Sequence, residues 1–350
     1  MRLALKLLQI FIKQAWKISK KLLKNNLFNK KKKQLILFVR KLVFLYLLGS
    51  ICSSYAQPYA YITNQGDNSV SVINTETNNV IKTIDVGYRP AGVVVSNNGK
   101  RVYITNPESK DISVIDTKEF NNIKTIKIGA GPLAIAINPD DRTVYVADWY
   151  EDAIFSIDTS SLKIINKIKV GDSPSGLVIH PNGKFLYVAN RDENTIMIIR
   201  LSDNKIIETI DVGIAPFGLA LNTKRNELYS ANVRSNNVSV INLDTKNVKN
   251  IQVGSYPYAI EVDNKYNRIF VTNQRSGTVS VIDLIKMKNI DTISVGEYPE
   301  GIDLHPNKIN LYVANWFDNA VSVIDIRSMK VIAEIAVGEG CRAYGEFISR

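Results

Sequence analysis

The tetrapeptide Tyr61-Ile62-Thr63-Asn64 returns six times, as Tyr103–Asn106, Tyr145–Asp148, Tyr187–Asn190, Tyr229–Asn232, Phe270–Asn273 and Tyr312–Asn315. Successive copies begin 42, 42, 42, 42, 41 and 42 residues apart. Two further markers keep the same phase. An apolar residue followed by glycine falls at Gly87, Gly129, Gly171, Gly213, Gly254, Gly296 and Gly338. A Pro-x-Gly/Ala triplet follows six of these seven glycines, starting at Pro90, Pro132, Pro174, Pro216, Pro257 and Pro299. Three markers in one phase over seven copies establish a repeat architecture, in which neighbouring units bury one another's apolar faces.

Each copy reads as four short strands. In the second, the apolar run Gly92–Ser96 leads through the turn Asn97-Asn98-Gly99-Lys100 into Val102–Thr105, and a polar loop then leads to Ile112–Asp116 and Ile123–Ile128. Short runs rich in Val, Ile, Tyr and Thr, separated by Asn, Gly, Asp and Pro, are antiparallel strands, and no copy has room for a helix of ordinary length. Runs such as Val70-Ser71-Val72-Ile73 are apolar on nearly both faces, so both faces are covered. The expected fold is therefore all-β: a seven-bladed β-propeller with four antiparallel strands per blade, 28 strands in all. The first copy lacks its innermost strand, and Arg342–Ser349 resembles the missing piece. Blade one should thus be closed by the C-terminal strand, with residues 57–350 forming one domain.

The motifs Tyr61-Ile-Thr-Asn, Ser113-Val-Ile-Asp and Gly171…Pro174-Ser-Gly resemble the YVTN-type β-propeller repeats of exported and surface-layer-like bacterial and archaeal proteins. The resemblance covers residues 57–350 and implies the architecture. It does not imply one activity, because related seven-bladed propellers include binding proteins, lactonase-like enzymes and cofactor-carrying reductase domains. Two copies depart from the pattern: Arg200 stands where others have Asp or Asn before a turn, and the fifth-to-sixth interval is one residue short.

The chain has 350 residues, with 44 Lys+Arg against 33 Asp+Glu. Residues 1–57 hold 13 of the basic residues and no acidic one, leaving 31 basic against 33 acidic, a net of −2. The basic character belongs to the leader, and sequence-specific nucleic-acid binding by the body is not expected. The leader has two basic stretches, then the apolar run Leu42–Ile51 and Ser53–Gln57, with Ser54 and Ala56 placed as in a signal-peptidase site. Ten helical residues rise about 15 Å, half of a roughly 30 Å hydrocarbon core. Extending the run back to Leu35 would bury Arg40 and Lys41 at about 2.5–3.5 kcal/mol each. Residues 1–56 therefore read as a basic leader plus a signal peptide cleaved between Ala56 and Gln57. The protein is expected in the periplasm or at the cell surface, as a monomer, touching membrane only through the leader. The basic stretch before the signal reads either as a cationic helix lying on anionic lipid or as a start site assigned too early. After cleavage only Cys341 remains, so no internal disulfide forms.

Catalytic signatures are sparse. His180 and His305, the two histidines, stand just before a turn, where other copies have Ser96, Asn138, Asn222 and Asp263. They read as turn residues, and they supply neither a nucleophilic triad nor a zinc ligand set. Gly129-Ala-Gly-Pro-Leu-Ala134 mimics a dinucleotide fingerprint, but a strand follows it rather than the helix that must receive the pyrophosphate.

Two constellations remain. Propeller ligands usually bind at a mouth of the ring, and the loops expected there carry Trp149, Tyr150, Trp316 and Phe317, with Arg191, Arg234 and Arg275 in the copies between. The other loop set at that mouth adds Arg89, Phe217, Tyr256, Tyr258 and Tyr298. Rings and arginines suit a recognition surface for sugar, peptide or bases, unless they pack on neighbouring loops. Glu261 and Asp303 replace apolar residues at matched positions of adjacent innermost strands, with Glu300 and Glu346 nearby in blades seven and one. Such carboxylates would hold a calcium ion in the channel, or else simply form a hydrated wall with raised pKa values. The expected function is an exported, non-enzymatic scaffold for a protein, glycan or small-molecule partner. The alternative is a metal-assisted hydrolase resembling lactonase-like propellers, its water activated at the channel carboxylates.

Overall fold

The computed structural model describes residues 58–350, so the leader over 1–56 and the cleavage site at Ala56–Gln57 lie outside the described residues. Each repeat becomes one antiparallel sheet: six have four strands, and the first has three regular strands spanning 59–85. The innermost strands of blades two to seven are Val93–Val95, Pro132–Ile137, Pro174–Ile179, Pro216–Asn222, Pro257–Asp263 and Pro299–Leu304. Successive ones pack side by side around a central channel. Burial grades outward from them. Second and third strands such as Tyr59–Asn64 and Ser69–Asn74 are buried nearly throughout, whereas the outermost strands are exposed apart from one isoleucine each, for example Ile84, Ile126 and Ile168.

The repeated residues explain themselves in this frame. The motif tyrosines, with Phe270, are buried between sheets. The motif asparagine ties the second strand to the third: Asn64 Nδ2 donates to Ser69 Oγ and Ser71 Oγ, both at 2.9 Å, and Asn106, Asn232 and Asn273 bond in the same way. Small residues latch blade to blade. Thr63 Oγ1 donates to Ala91 O at 3.1 Å, Thr105 Oγ1 to Leu133 O at 2.7 Å, Ser175 Oγ to Pro216 O at 2.8 Å and Thr272 Oγ1 to Glu300 O at 3.0 Å. The Pro-x-Gly glycine marks where adjacent blades come closest: a Cβ on Gly176 would lie 1.9 Å from Phe217 O, and one on Gly218 would lie 2.3 Å from Tyr258 O.

Both departures from the repeat are absorbed locally. Six blades carry a β-bulge between third and outermost strands, for instance at Val72/Ile73 and Val281/Ile282. Blade five pairs Asn237–Ile241 with Val248–Gln252 in unbroken register, so its missing residue is the bulge residue. Arg200, standing at an acidic position, instead ion-pairs with Asp203, 2.8 Å away.

Closure follows the sequence expectation, with one difference. Tyr61 N donates to Phe347 O and Ser349 N to Tyr59 O, both at 2.9 Å, while Arg342 N donates to Thr63 O at 2.8 Å. On its other side the same segment receives Val93 N at Tyr344 O and Val95 N at Glu346 O, both at 3.0 Å. The segment makes only isolated bridges rather than a regular strand, so 27 regular strands form among the described residues instead of 28. It breaks at Gly345, φ 132°, and the amides of Phe347 and Ile348 turn away to Asp303 Oδ2, at 2.9 and 2.8 Å. Phe347 is nonetheless fully buried.

Truncating Phe347 therefore removes the apolar anchor of the closing segment. Phe347→Ala is expected to cost about 3–5 kcal/mol in chemical denaturation. Gly176→Ala, which forces two blades apart, should cost about 1–3 kcal/mol. A Phe347→Ala loss under about 1 kcal/mol would show that the ring does not depend on this segment.

Candidate functional site

The fourth residue after each repeat glycine takes an equivalent place at the start of each innermost segment, near the loop-bearing mouth. The occupants are Ala91, Leu133, Ser175, Phe217, Tyr258, Glu300 and, from the closing segment, Arg342. The larger ones fill the channel at this level. Ring centroids of Phe217 and Tyr258 are 4.2 Å apart, and Tyr344 lies 5.1 Å from Phe217 and 5.6 Å from Tyr258. Arg342 Nε donates to Glu300 Oε2 at 2.5 Å and its Nη2 to Tyr258 Oη at 2.5 Å, while Gln274 Nε2 donates to Glu300 Oε1 at 2.6 Å. Burial raises the pKa of Glu300 and of both phenols, and Tyr344 Oη donates to Phe217 O at 3.3 Å. This plug corrects two sequence expectations. Phe217 and Tyr258 face inward and are 5% exposed each, so they are channel stoppers rather than surface rings. Glu300 belongs to the plug and is neutralised by Arg342, apart from the other acids.

The remaining residues expected at this face do lie on its loops. Trp149 leans on Phe217 at 6.3 Å and receives the Arg191 guanidinium 5.5 Å from its ring. Arg275 stacks over Tyr256 at 3.7 Å. Tyr298, Trp316 and Phe317 form a third group, with Phe317 centroids 4.5 Å from Tyr298 and 4.6 Å from Trp316. Tyr150 is 73% and Phe317 53% exposed. Arg234 is exposed, and Arg89 at the rim ion-pairs with Glu108. Arg89, Tyr256 and Tyr298 share a left-handed backbone, φ 54–56°, fixed by the tight turn into each blade. Asn68 Oδ1 and Asn236 Oδ1 accept the amides of Arg89 and Tyr256, both at 2.9 Å.

Below the plug the channel is a blind cavity of about 420 Å³, open toward the turns that carry Asn97, Pro139, Pro181 and Asn264. Its wall is aliphatic on blades two to five, through Val94, Ala136, Val178 and Ala220, and charged on blades six, seven and one, through Glu261, Asp303, Glu346 and Arg350. Burial, reinforced by Asp303, pushes the Glu261 carboxyl well above the ordinary carboxylate range. Burial likewise raises Asp303, although Arg350 opposes it. Arg350 reaches Glu346 at 3.5 Å and Asp303 at 3.7 Å. Among the described residues no group of three His, Cys, Asp or Glu gathers so as to hold a metal ion. Of the four acids expected around one calcium ion, Glu261, Asp303 and Glu346 line this cavity and Glu300 lies in the plug with Arg342.

The histidines serve turns. His180 Nδ1 accepts Asn182 N and His305 Nδ1 accepts Asn307 N, both at 3.1 Å. With Nδ1 accepting, His305 carries its proton on Nε2 and donates it to Thr75 Oγ1 at 3.0 Å, which links blades seven and one. Burial lowers the His305 pKa and favours this neutral form. Cys341, at the repeat's proline position, is buried, and its thiol is pushed up to about 12. Arg342, Tyr344 and Arg350 were not anticipated as site residues. Aligning the closing segment with the other innermost strands would have found the first two.

Because folded Glu261 and Asp303 bind a proton more tightly than the unfolded chain, their contribution falls as pH rises from the ordinary carboxylate range through neutrality. The Tm difference between Glu261→Gln and wild type should therefore grow from about pH 5 to about pH 8. At the upper end the variant should be more stable by about 1 kcal/mol, read as about 2–4 °C. Parallel Tm curves for the two proteins would refute a strained Glu261 carboxylate.

Comparison with solved structures finds the fold in proteins of different description. A chain of Kuenenia stuttgartiensis hydrazine synthase aligns with TM-score 0.71 and 22% identity, over 76% of this chain and 91% of that one. A functionally unknown protein from Desulfotomaculum acetoxidans DSM 771 gives TM-score 0.72 and 16% identity, over 82% and 99%. The dihydro-heme d1 dehydrogenase NirN, in complex with DHE, gives 0.65 and 14%, over 81% and 74%. No curated protein matches the chain. The family model of the YNCE-like beta-propeller matches residues 49–346, and the chain belongs to that family.

Proposed function

We propose that the protein is an exported, non-enzymatic scaffold that binds a protein, glycan or small-molecule partner through the loop face around the plugged mouth. The observation that carries this reading is the grouping of rings and guanidinium groups there: Trp149 with Arg191, Tyr256 with Arg275, and Tyr298 with Trp316 and Phe317. Large rigid rings beside forked donors give contact area at little conformational cost, and such residues dominate binding energies. Their mutual stacking presets the rotamers a partner would otherwise have to order. The near-neutral charge of residues 58–350 favours recognition by shape and stacking over long-range attraction to a polyanion. Family membership supports a scaffold without naming its partner, since the fold recurs among proteins of unrelated description.

Arrays of glycans, peptides and single-stranded DNA would identify the partner class. Tyr150→Ala and Phe317→Ala truncate rings that are more than half exposed, so both variants should fold, with a Tm loss of no more than about 2–4 °C. Each should weaken binding by about ten-fold or more. Binding that survives both substitutions at full strength would discard this face.

A further inference from the structure

The channel beyond the plug has a different chemistry and faces the opposite mouth. Its volume, about 420 Å³, suits a small molecule. One wall is aliphatic. The other presents Glu261, for which no hydrogen bond or ion pair is formed among the described residues, beside the wholly buried Asp303. Asp303 Oδ2 is satisfied by the amides of Phe347 and Ile348, but its Oδ1 accepts no hydrogen bond, and the nearest cation, Arg350, stands 3.7 Å away. A buried carboxylate oxygen without a donor is costly, and propeller closure accounts for only one of the two oxygens. Glu261 has no structural duty at all: its matched positions in other blades are Val94, Ala136, Val178 and Ala220.

We propose that this blind channel is a binding site for a small amphipathic organic cation, whose ammonium group donates to Glu261 and to Asp303 Oδ1 while its hydrocarbon part lies against Val94, Ala136, Val178 and Ala220. An ammonium carries two or three N–H donors, which is the number needed to serve both acids at once. Its charge offsets the desolvation that raises the Glu261 pKa. A monovalent organic head also fits a site with too few carboxylates to encircle a hard metal ion. The charged groups facing Glu261 are Asp303, Glu346, Arg350 and Lys308. With both acids ionised, their sum favours a cation, so affinity rises with pH through the neutral range. The proposal is independent of the loop-face reading, because the plug of Phe217, Tyr258 and Tyr344 separates the two sites.

The test is isothermal titration of residues 57–350 with n-hexylamine, 1-hexanol and hexanoate at about pH 8 and about pH 5.5. Hexylamine should bind one to one at the higher pH and more weakly at the lower, and neither hexanol nor hexanoate should match it. Glu261→Gln should weaken hexylamine by about ten-fold. Ala220→Phe, which fills the lumen, should abolish binding, and neither variant should alter partner capture by the loop face. If Ala220→Phe does not fold, Glu261→Gln, isosteric and free of structural bonds, decides alone. No hexylamine binding, equal binding of hexanol, or an unchanged affinity in Glu261→Gln would overturn the proposal. So would a calcium-induced rise in Tm that Glu261→Gln abolishes, which would give the carboxylates to a metal.

Discussion

The molecule rests on the contact between adjacent innermost segments at the Pro-x-Gly position. There the next blade's carbonyl occupies the space where a side chain would begin: Phe217 O against Gly176, Tyr258 O against Gly218, Leu133 O against Gly92. This approach sets how close the blades stand at the axis, and hence how wide the channel is. A threonine or serine beside the contact then donates to the same neighbouring strand, as Thr63, Thr105, Ser175 and Thr272 do. The interaction is thus a steric limit reinforced by a hydrogen bond, repeated around a ring. The close approach recurs at Gly92, Gly176, Gly218 and Gly301, while alanine takes the place at Ala134, Ala259 and Ala343.

The weakest junction by construction is the one where the chain ends meet, and the molecule treats it differently from the others. Cys341 stands for the proline and Ala343 for the glycine, and the segment bends at Gly345. Regular pairing is lost there, so two amides near the C-terminus would be buried without partners. Asp303 accepts both. A carboxylate deep in the channel wall is therefore a consequence of closure with an irregular strand, and the neighbouring Arg350 offsets part of its charge. On the other edge, His305 donating to Thr75 and Tyr312 donating to Asn78 at 2.8 Å fasten blade seven to blade one by side chains.

The 42-residue phase makes most of this legible in the sequence: seven sheets, four strands in each of six, and closure by the C-terminal residues. Spacing reports which residues occupy equivalent places, and the ring turns equivalence into geometry. What spacing cannot report is the direction a side chain takes at a non-repeating identity. Phe217 and Tyr258 read as loop residues in the sequence but sit at the start of innermost strands, at a position occupied by Ala91 and Leu133 in other blades. Glu300 and Asp303 are near in sequence, but three strand residues span about 10 Å along the axis. That distance carries one acid into the aromatic plug and leaves the other in the cavity. The bulge between Pro299 and Ile302 shifts the alternation further, and nothing in the composition announces it.

The channel's asymmetry then has a single origin. Blades two to five repeat small aliphatic residues along the lumen because only packing acts on them. Blade one is written at the chain's end, where Tyr344, Glu346 and Arg350 replace the repeat's aliphatics. Together with Arg342 they supply a ring to block one mouth, a guanidinium for Glu300, and a guanidinium between Glu346 and Asp303. Closure accounts for Asp303 and the plug accounts for Glu300, but neither accounts for Glu261. Burial disfavours the ionised form of this carboxyl, in a place where other blades have valine or alanine, so its presence carries a stability cost as pH rises. Costs of that kind concentrate at sites that meet something other than the protein itself. The cavity beside Glu261 is where that something would sit.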